Sequence, residues 1–269
     1  MRRQIMKNYE RPFDLIFSLG DDCAPSYYLR EFKLQNASYP LDWVGWAPVE
    51  CVVSLIVSDF KDFLATEYFE AREYPNPAAA DTTHDFYKNT KTGLYTAHDF
   101  PAGVPPEQSL PEVQAKYDRR IKRFFNDISK ARNILFVWLS KTSNTPADVL
   151  IREHARLQAK FPEQEITWLI LENDSSMKPM EFNETEISDR ITRIVFDNVS
   201  YDKSNPFSEW RGNRQNIEAV FSRFRLKTSK EVAFRRFLFR IAKLLCLLIP
   251  VGSLRKKSRR ALKIKLLGD

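Results

Sequence analysis

The run Phe13-Asp14-Leu15-Ile16-Phe17-Ser18-Leu19-Gly20-Asp21-Asp22-Cys23-Ala24-Pro25-Ser26-Tyr27-Tyr28-Leu29-Arg30 changes its periodicity at Gly20. Before the glycine the residues are apolar and β-prone; after it Ala24, Tyr27, Tyr28, Leu29 and Phe32 recur at helical spacing. This predicts a strand, a tight turn and a helix start, with a thiol at the turn. Helix N-termini carry unpaired N–H groups and a partial positive charge, which favour a thiolate and an incoming oxyanion alike. Cys23 is therefore the candidate nucleophile. Gly20 shapes the turn, and backbone N–H groups near Asp22 and Cys23 are the expected oxyanion site.

Working outward, apolar runs at 133–139, 166–171 and 191–196 read as buried strands, and helical spacing recurs over 48–63, 110–130, 147–160 and 213–224. Strands with helices between them predict an α/β fold with a central, mostly parallel sheet flanked by helices. Residues 84–87 and 94–100, joined by a polar stretch, read as a short antiparallel addition. Segments 37–46 and 74–80 read as loops, the first packed by Trp43 and Trp46.

Composition bounds the rest. A chain of 269 residues with 43% hydrophobic content can bury a sizeable core, which excludes wholesale disorder. Cysteines at 23, 51 and 246 are odd in number and widely spaced, which argues for a reducing compartment over a disulfide framework. Cys51 and Cys246 lie on apolar stripes and read as passive. With no C-x-x-C pair and only His84, His98 and His154, neither a metal site nor a cofactor is expected. No Asp-x-Asp pair or glycine-rich phosphate loop suggests a nucleotide-sugar site.

The formal charge of +7 belongs to one end. Residues 230–269 hold twelve Lys and Arg against Glu231 and Asp269, which leaves residues 1–229 at −3. The chain thus divides into an α/β domain, 1–229, and a basic amphipathic tail, 230–269, helical in its pattern and broken by Pro250 and Gly252. No apolar run reaches spanning length and no secretory leader is evident, so the expectation is a protein on the cytoplasmic side, peripheral on the inner face of the cell membrane. Arg235, Arg236, Arg240, Arg255, Lys256 and Lys257 would meet an anionic membrane surface. Interleaved Leu, Ile and Phe suit lipid better than nucleic acid, which is not expected as a partner.

A cysteine nucleophile needs a base and a group that orients it. His98, at the end of a predicted strand, is preferred over His84, which repeats the His-Asp-Phe triplet at the start of the preceding one; His154 falls in a polar helix and reads as solvated. Asp42, between Leu41 and Trp43, is the candidate third residue, with Asp99 and Asn133 as alternatives. Arg119, Arg120 and Arg123 form a candidate anion-binding group, or else a solvated helix face.

Several motifs in order resemble one family. Leu19-Gly20-Asp21-Asp22-Cys23 with Tyr28-Leu29-Arg30, then Pro40-Leu41-Asp42-Trp43, His98-Asp99-Phe100, Lys116-Tyr117-Asp118-Arg119-Arg120-Ile121 and Arg123-Phe124 are similar to a bacterial family described as putative papain-like cysteine peptidases, over residues 12–220. The resemblance implies a Cys-then-His order, which Cys23 and His98 satisfy. Leu41 replaces the expected Phe of its Pro-Phe-Asp-Trp motif. The strand–turn–helix unit also resembles an esterase-type α/β hydrolase with cysteine at the serine position, and both imply acyl transfer. The tail run Leu248-Ile249-Pro250-Val251-Gly252-Ser253-Leu254-Arg255-Lys256-Lys257 resembles the C-terminal tails of bacterial surface-polysaccharide glycosyltransferases. Together these imply a cysteine peptidase or related thiol acyl hydrolase or transferase in envelope polysaccharide assembly, acting on an unidentified peptide, amide or glycan-linked substrate. The alternative is a non-catalytic membrane-associated accessory domain of glycan biosynthesis.

Overall fold

The computed structural model describes residues 9, 11–21, 23–73, 83–140, 144–199, 211–228 and 230–267. In chain order its elements are β1 (Leu15–Ser18), α1 (Ala24–Glu31), β2 (Val44–Gly45), α2 (Val49–Val57), β3 (Phe69–Ala71), β4 (His84–Asn89), β5 (Tyr95–Pro101), α3 (Pro106–Ile128), β6 (Asn133–Ser140), α4 (Ala147–Lys160), β7 (Glu165–Asn173), β8 (Asn183–Ser188), β9 (Ile191–Phe196), α5 (Arg214–Phe221), α6 (Lys230–Leu245) and α7 (Gly252–Leu267).

The central sheet runs β1-β6-β7-β9-β8, with β1, β6, β7 and β9 parallel and β8 antiparallel at the edge. β6 and β7, in the middle of the sheet, are apolar on both faces because both are covered, whereas the edge strand β8 is partly exposed and polar. Phe17, Phe136, Trp138, Trp168 and Ile170 face the side packed by α2, α3 and α4. Ile16, Leu135, Val137, Leu169 and Leu171 face α1 and α5. The expected α/β architecture is present, and the antiparallel addition is a separate sheet, β2-β5-β4-β3, with a bulge between Asp85 and Tyr87.

Boundaries follow local chemistry. Pro25 suits the first turn of α1, where no N–H partner is needed. The helix ends in a Schellman closure: Lys33 takes φ 61, Leu34 N–H returns to Leu29 O at 2.7 Å, and Lys33 N–H to Arg30 O at 3.1 Å. α2 stops at Val57, short of the expected 63, because Asp59, Phe60 and Asp62 adopt left-handed φ values while Phe60 and Phe63 remain buried. α3 starts at Pro106, earlier than the expected 110. The expected loop at 74–80 lies outside the described residues. In the tail, α6 and α7 pack together across a short 3-10 turn, Cys246–Leu248.

Candidate active site

The turn after β1 is held in conformations that explain its sequence. Gly20 has φ 89, and a Cβ there would stand 3.2 Å from Val44 Cγ2, so both the angle and the close approach call for glycine. Its N–H donates to Ser18 Oγ at 3.1 Å, so Gly20 shapes the turn and its own donor is engaged locally. Asp21 follows at φ 64; Asp22 lies outside the described residues. Cys23 is the N-cap of α1, with φ −81 and ψ −13, and its carbonyl accepts the first helical bond from Tyr27 N–H at 3.1 Å. The thiol is half-buried and makes no cap bond. It stands beyond the carboxyl end of a parallel strand, the edge at which α/β sheets bind ligands.

The segment 41–46 touches both this turn and His98. Trp46 N–H donates to Asp21 O at 3.0 Å, and Trp46 itself has φ 53, a strained angle for a bulky side chain. Val44 and Gly45 pair with Thr96 and Tyr95 of β5. Trp43 lies edge-on to His98 at 6.5 Å between ring centroids, and the His84 and His98 rings are 6.3 Å apart. The two candidate bases therefore share one cluster on the antiparallel sheet, with His98 the more exposed.

Asp42 is fully buried. Its carboxylate accepts from Arg30 Nη2 at 2.6 Å, Gln35 Nε2 at 2.9 and 3.1 Å, Ser26 Oγ at 3.3 Å and Tyr39 N–H at 2.9 Å. None of these donors is His98, the partner a third catalytic residue would hold; the carboxylate instead ties α1 to the loop that carries Trp43. Arg30 also stacks over Trp43 at 5.3 Å. The alternatives fare no better as orienting groups: Asp99 accepts from Lys116 Nζ and from Tyr117 Oη at 2.9 Å, and Asn133 opens β6 at the end of the sheet away from Cys23. Tyr117 is completely buried, and that burial, with Asp99 beside it, pushes its hydroxyl well above its ordinary pKa.

Residues 14–175 match the family described as putative papain-like cysteine peptidase, a domain of unknown function numbered 1796. The chain belongs to this family. The match is shorter than the expected 12–220; it covers Cys23, Asp42, His84 and His98 and ends in the turn after β7, so β8, β9, α5 and the tail lie beyond it. No curated protein and no solved structure matches the chain.

Within this family domain the three arginines of α3 do not converge. Arg123 Nη1 donates to Ser38 O at 2.7 Å, Arg120 stacks over Tyr117 at 5.6 Å, and Arg119 points to solvent. Arg123 is a loop brace. His154, expected to be solvated, is half-buried: its Nε2–H donates to Ile166 O at 3.0 Å and its ring packs on Trp168. Burial lowers its pKa. Cys51 sits under the β4–β5 turn, where burial, aided by Glu50, raises its thiol pKa; Cys246 is buried in the tail.

Two groups escaped the sequence reading. Trp46, expected to pack its loop, is 43% exposed beside the Cys23 turn, flanked by Phe86 at 5.2 Å and Tyr95 at 6.2 Å. Glu172, the penultimate residue of β7, lies at the same sheet edge, where burial raises its pKa against the opposing pull of Thr145 N–H and Arg193. Neither carries a sequence signal beyond its residue type. Among the described residues no cluster of His, Cys, Asp and Glu has the form of a metal site.

In the tail, Arg235, Arg240, Lys256 and Lys257 are exposed, while Arg255 folds back to donate to Ile249 O at 2.7 and 3.0 Å. The Arg236 side chain lies outside what is described. No described helix is long and apolar enough to cross a membrane.

Proposed function

We propose that the chain is a thiol acyl hydrolase of the peptidase type, with Cys23 as nucleophile and His98 as its base. The observation that carries this reading is that the Cys23 turn and His98 both rest against one segment, 41–46, inside the region matched to the cysteine-peptidase family. The positive end of α1 favours the thiolate, and His98 takes the thiol proton. Sulfur attacks a peptide, amide or ester carbonyl, forming the S–C bond; as the tetrahedral intermediate collapses, the C–N or C–O bond breaks and the leaving group takes the proton from His98. Water, deprotonated by His98, then attacks the thioester carbon and the thiolate leaves. Asp42 acts as a positioning residue for the 41–46 segment. The tail's resemblance to glycosyltransferase tails supports a substrate context in envelope polysaccharide assembly.

The test is peptide-mapped iodoacetamide labelling of the three cysteines as a function of pH. Cys23 should label fastest, and His98→Ala should slow it by at least about tenfold at neutral pH while His84→Ala does not. A Cys23 no faster than Cys51, or indifferent to His98, would overturn the catalytic reading and favour a non-catalytic accessory domain.

A further inference from the structure

We infer that the α6–α7 hairpin is a docking surface for an anionic membrane, lying in the lipid interface with the outer face of α6 inserted. The hairpin lies outside the family match, so this inference stands apart from the Cys23 chemistry. α6 has two apolar faces. Leu238, Phe239 and Ala242 of α6 are half-buried, as is Ile249 beyond it, Cys246 of the 3-10 turn is buried, and α6 packs against α7, where Ser258, Leu262 and Leu266 are half-buried.

The second face is left open. Phe234, Phe237, Ile241, Leu244, Leu245 and Leu248 are between 40% and 79% exposed and fall within about 100° of arc at helical periodicity. Of the twelve large hydrophobic residues exposed among the described ones, nine lie between 234 and 254, and Trp46, Ile151 and Met180 are the others. An apolar stripe this concentrated marks an interaction surface.

Charge selects the occupant. Arg240 and Lys243 are exposed on α6, and α7 presents Lys256, Lys257, Arg260 and Lys263 to solvent. By composition, residues 230–269 hold twelve basic residues and two acidic ones, Glu231 and Asp269. A second copy of this hairpin would bring like charges together, whereas an anionic leaflet satisfies both the stripe and the charge. No described helix suits a spanning role, so the hairpin lies on the surface.

The experiment is co-sedimentation of the full chain with vesicles of phosphatidylcholine alone or mixed with phosphatidylglycerol, with light scattering in parallel. The chain should bind the mixed vesicles and leave the neutral ones. Ile241→Asp with Leu245→Asp should weaken binding by more than about tenfold. Lys256→Gln, Lys257→Gln and Arg260→Gln should each cost roughly fivefold, and added salt should act in the same direction. These side chains are exposed, so unchanged melting temperature and Cys23 labelling show that the variants are folded. Equal binding to neutral vesicles, stripe variants that bind as well as the native chain, or a native dimer that Ile241→Asp converts to monomer would each overturn the inference.

Discussion

Leu169 in β7 and Leu248 after α6 are the same side chain at the two ends of the exposure scale, 0% against 79%. The difference is repeated across the two regions. In the α/β body, strands and helices use their apolar residues against one another on both sides of the sheet, so apolar patterning there is the imprint of folding. In the hairpin one apolar face of α6 closes the α7 contact and the other is left outward. Amphipathic spacing therefore reports a buried face in one region and a reserved one in the other. The distinction has to come from counting how many faces the neighbours can cover.

That contrast can be broken by substitution, and the largest effect belongs to the body. Asp42→Ala strips the shared acceptor from Arg30, Gln35, Ser26 and the Tyr39 N–H, three of them deeply buried. Removing one partner of a buried pair costs about 3–5 kcal/mol; Arg30 retains some water contact, which places the expected loss toward the lower figure. Urea unfolding with an unchanged m-value measures it. If Asp42→Ala unfolds at the native midpoint, the carboxylate does not hold the 41–46 segment, and the positioning role assigned to it fails.

Leu169→Ala comes next. Deleting a fully buried leucine between α1, α5 and the sheet should cost about 2–5 kcal/mol, with the spread set by how far the site collapses. A loss below about 1 kcal/mol would mean that the α1–α5 layer is loosely packed, and the comparison with the hairpin would lose its basis.

A smaller effect is pH-dependent. Burial holds the folded pKa of His154 below 6.5, with Arg190 adding to the shift while the bond to Ile166 O and the charge of Asp189 oppose it. Between the folded value and 6.5 the unfolded chain carries a proton that the folded chain lacks. Stability should therefore decline as pH drops below 6.5 and stop declining once the folded pKa is passed. Melting temperatures of the native chain and His154→Gln across that range should differ in slope, with the native chain the steeper. Parallel slopes would show that the imidazole is solvated, as its polar helical setting in the sequence suggests.

Much of the body was legible because its signals are redundant. The β1–turn–α1 unit announces itself through apolar residues, Gly20, and helical spacing after Cys23, and α4 was readable to the residue. What the sequence hid has physical causes. β8, Asn183-Glu184-Thr185-Glu186-Ile187-Ser188, is an edge strand exposed enough to carry charge, so it lacks the alternation that marks a strand. β2 and β3 are too short for any period, and α2 is cut by left-handed residues that no spacing foretells. The candidate site was legible as residue types and not as bonds. Asp42 beside Trp43 read as an orienting carboxylate, but Arg30, Gln35 and Ser26 reach it through a fold that places α1 against the loop. Arg123 read as a candidate anion ligand or else part of a solvated helix face, and neither reading foretold its bond to the Ser38 carbonyl.

The smallest effect is the most pointed. Leu248→Ala removes as much hydrocarbon as Leu169→Ala, but from a side chain that remains mostly in water after folding, so the transfer and cavity terms that penalise the body variant nearly vanish. The expected change in unfolding free energy is within about 0.5 kcal/mol. Its value lies in pairing: the same variant should lower affinity for anionic vesicles, because the methyl groups that do nothing for the fold are those the lipid interface would take up. Stability lost without binding lost would place Leu248 against the body in solution, and the outward face of α6 would then be a folding surface like any other.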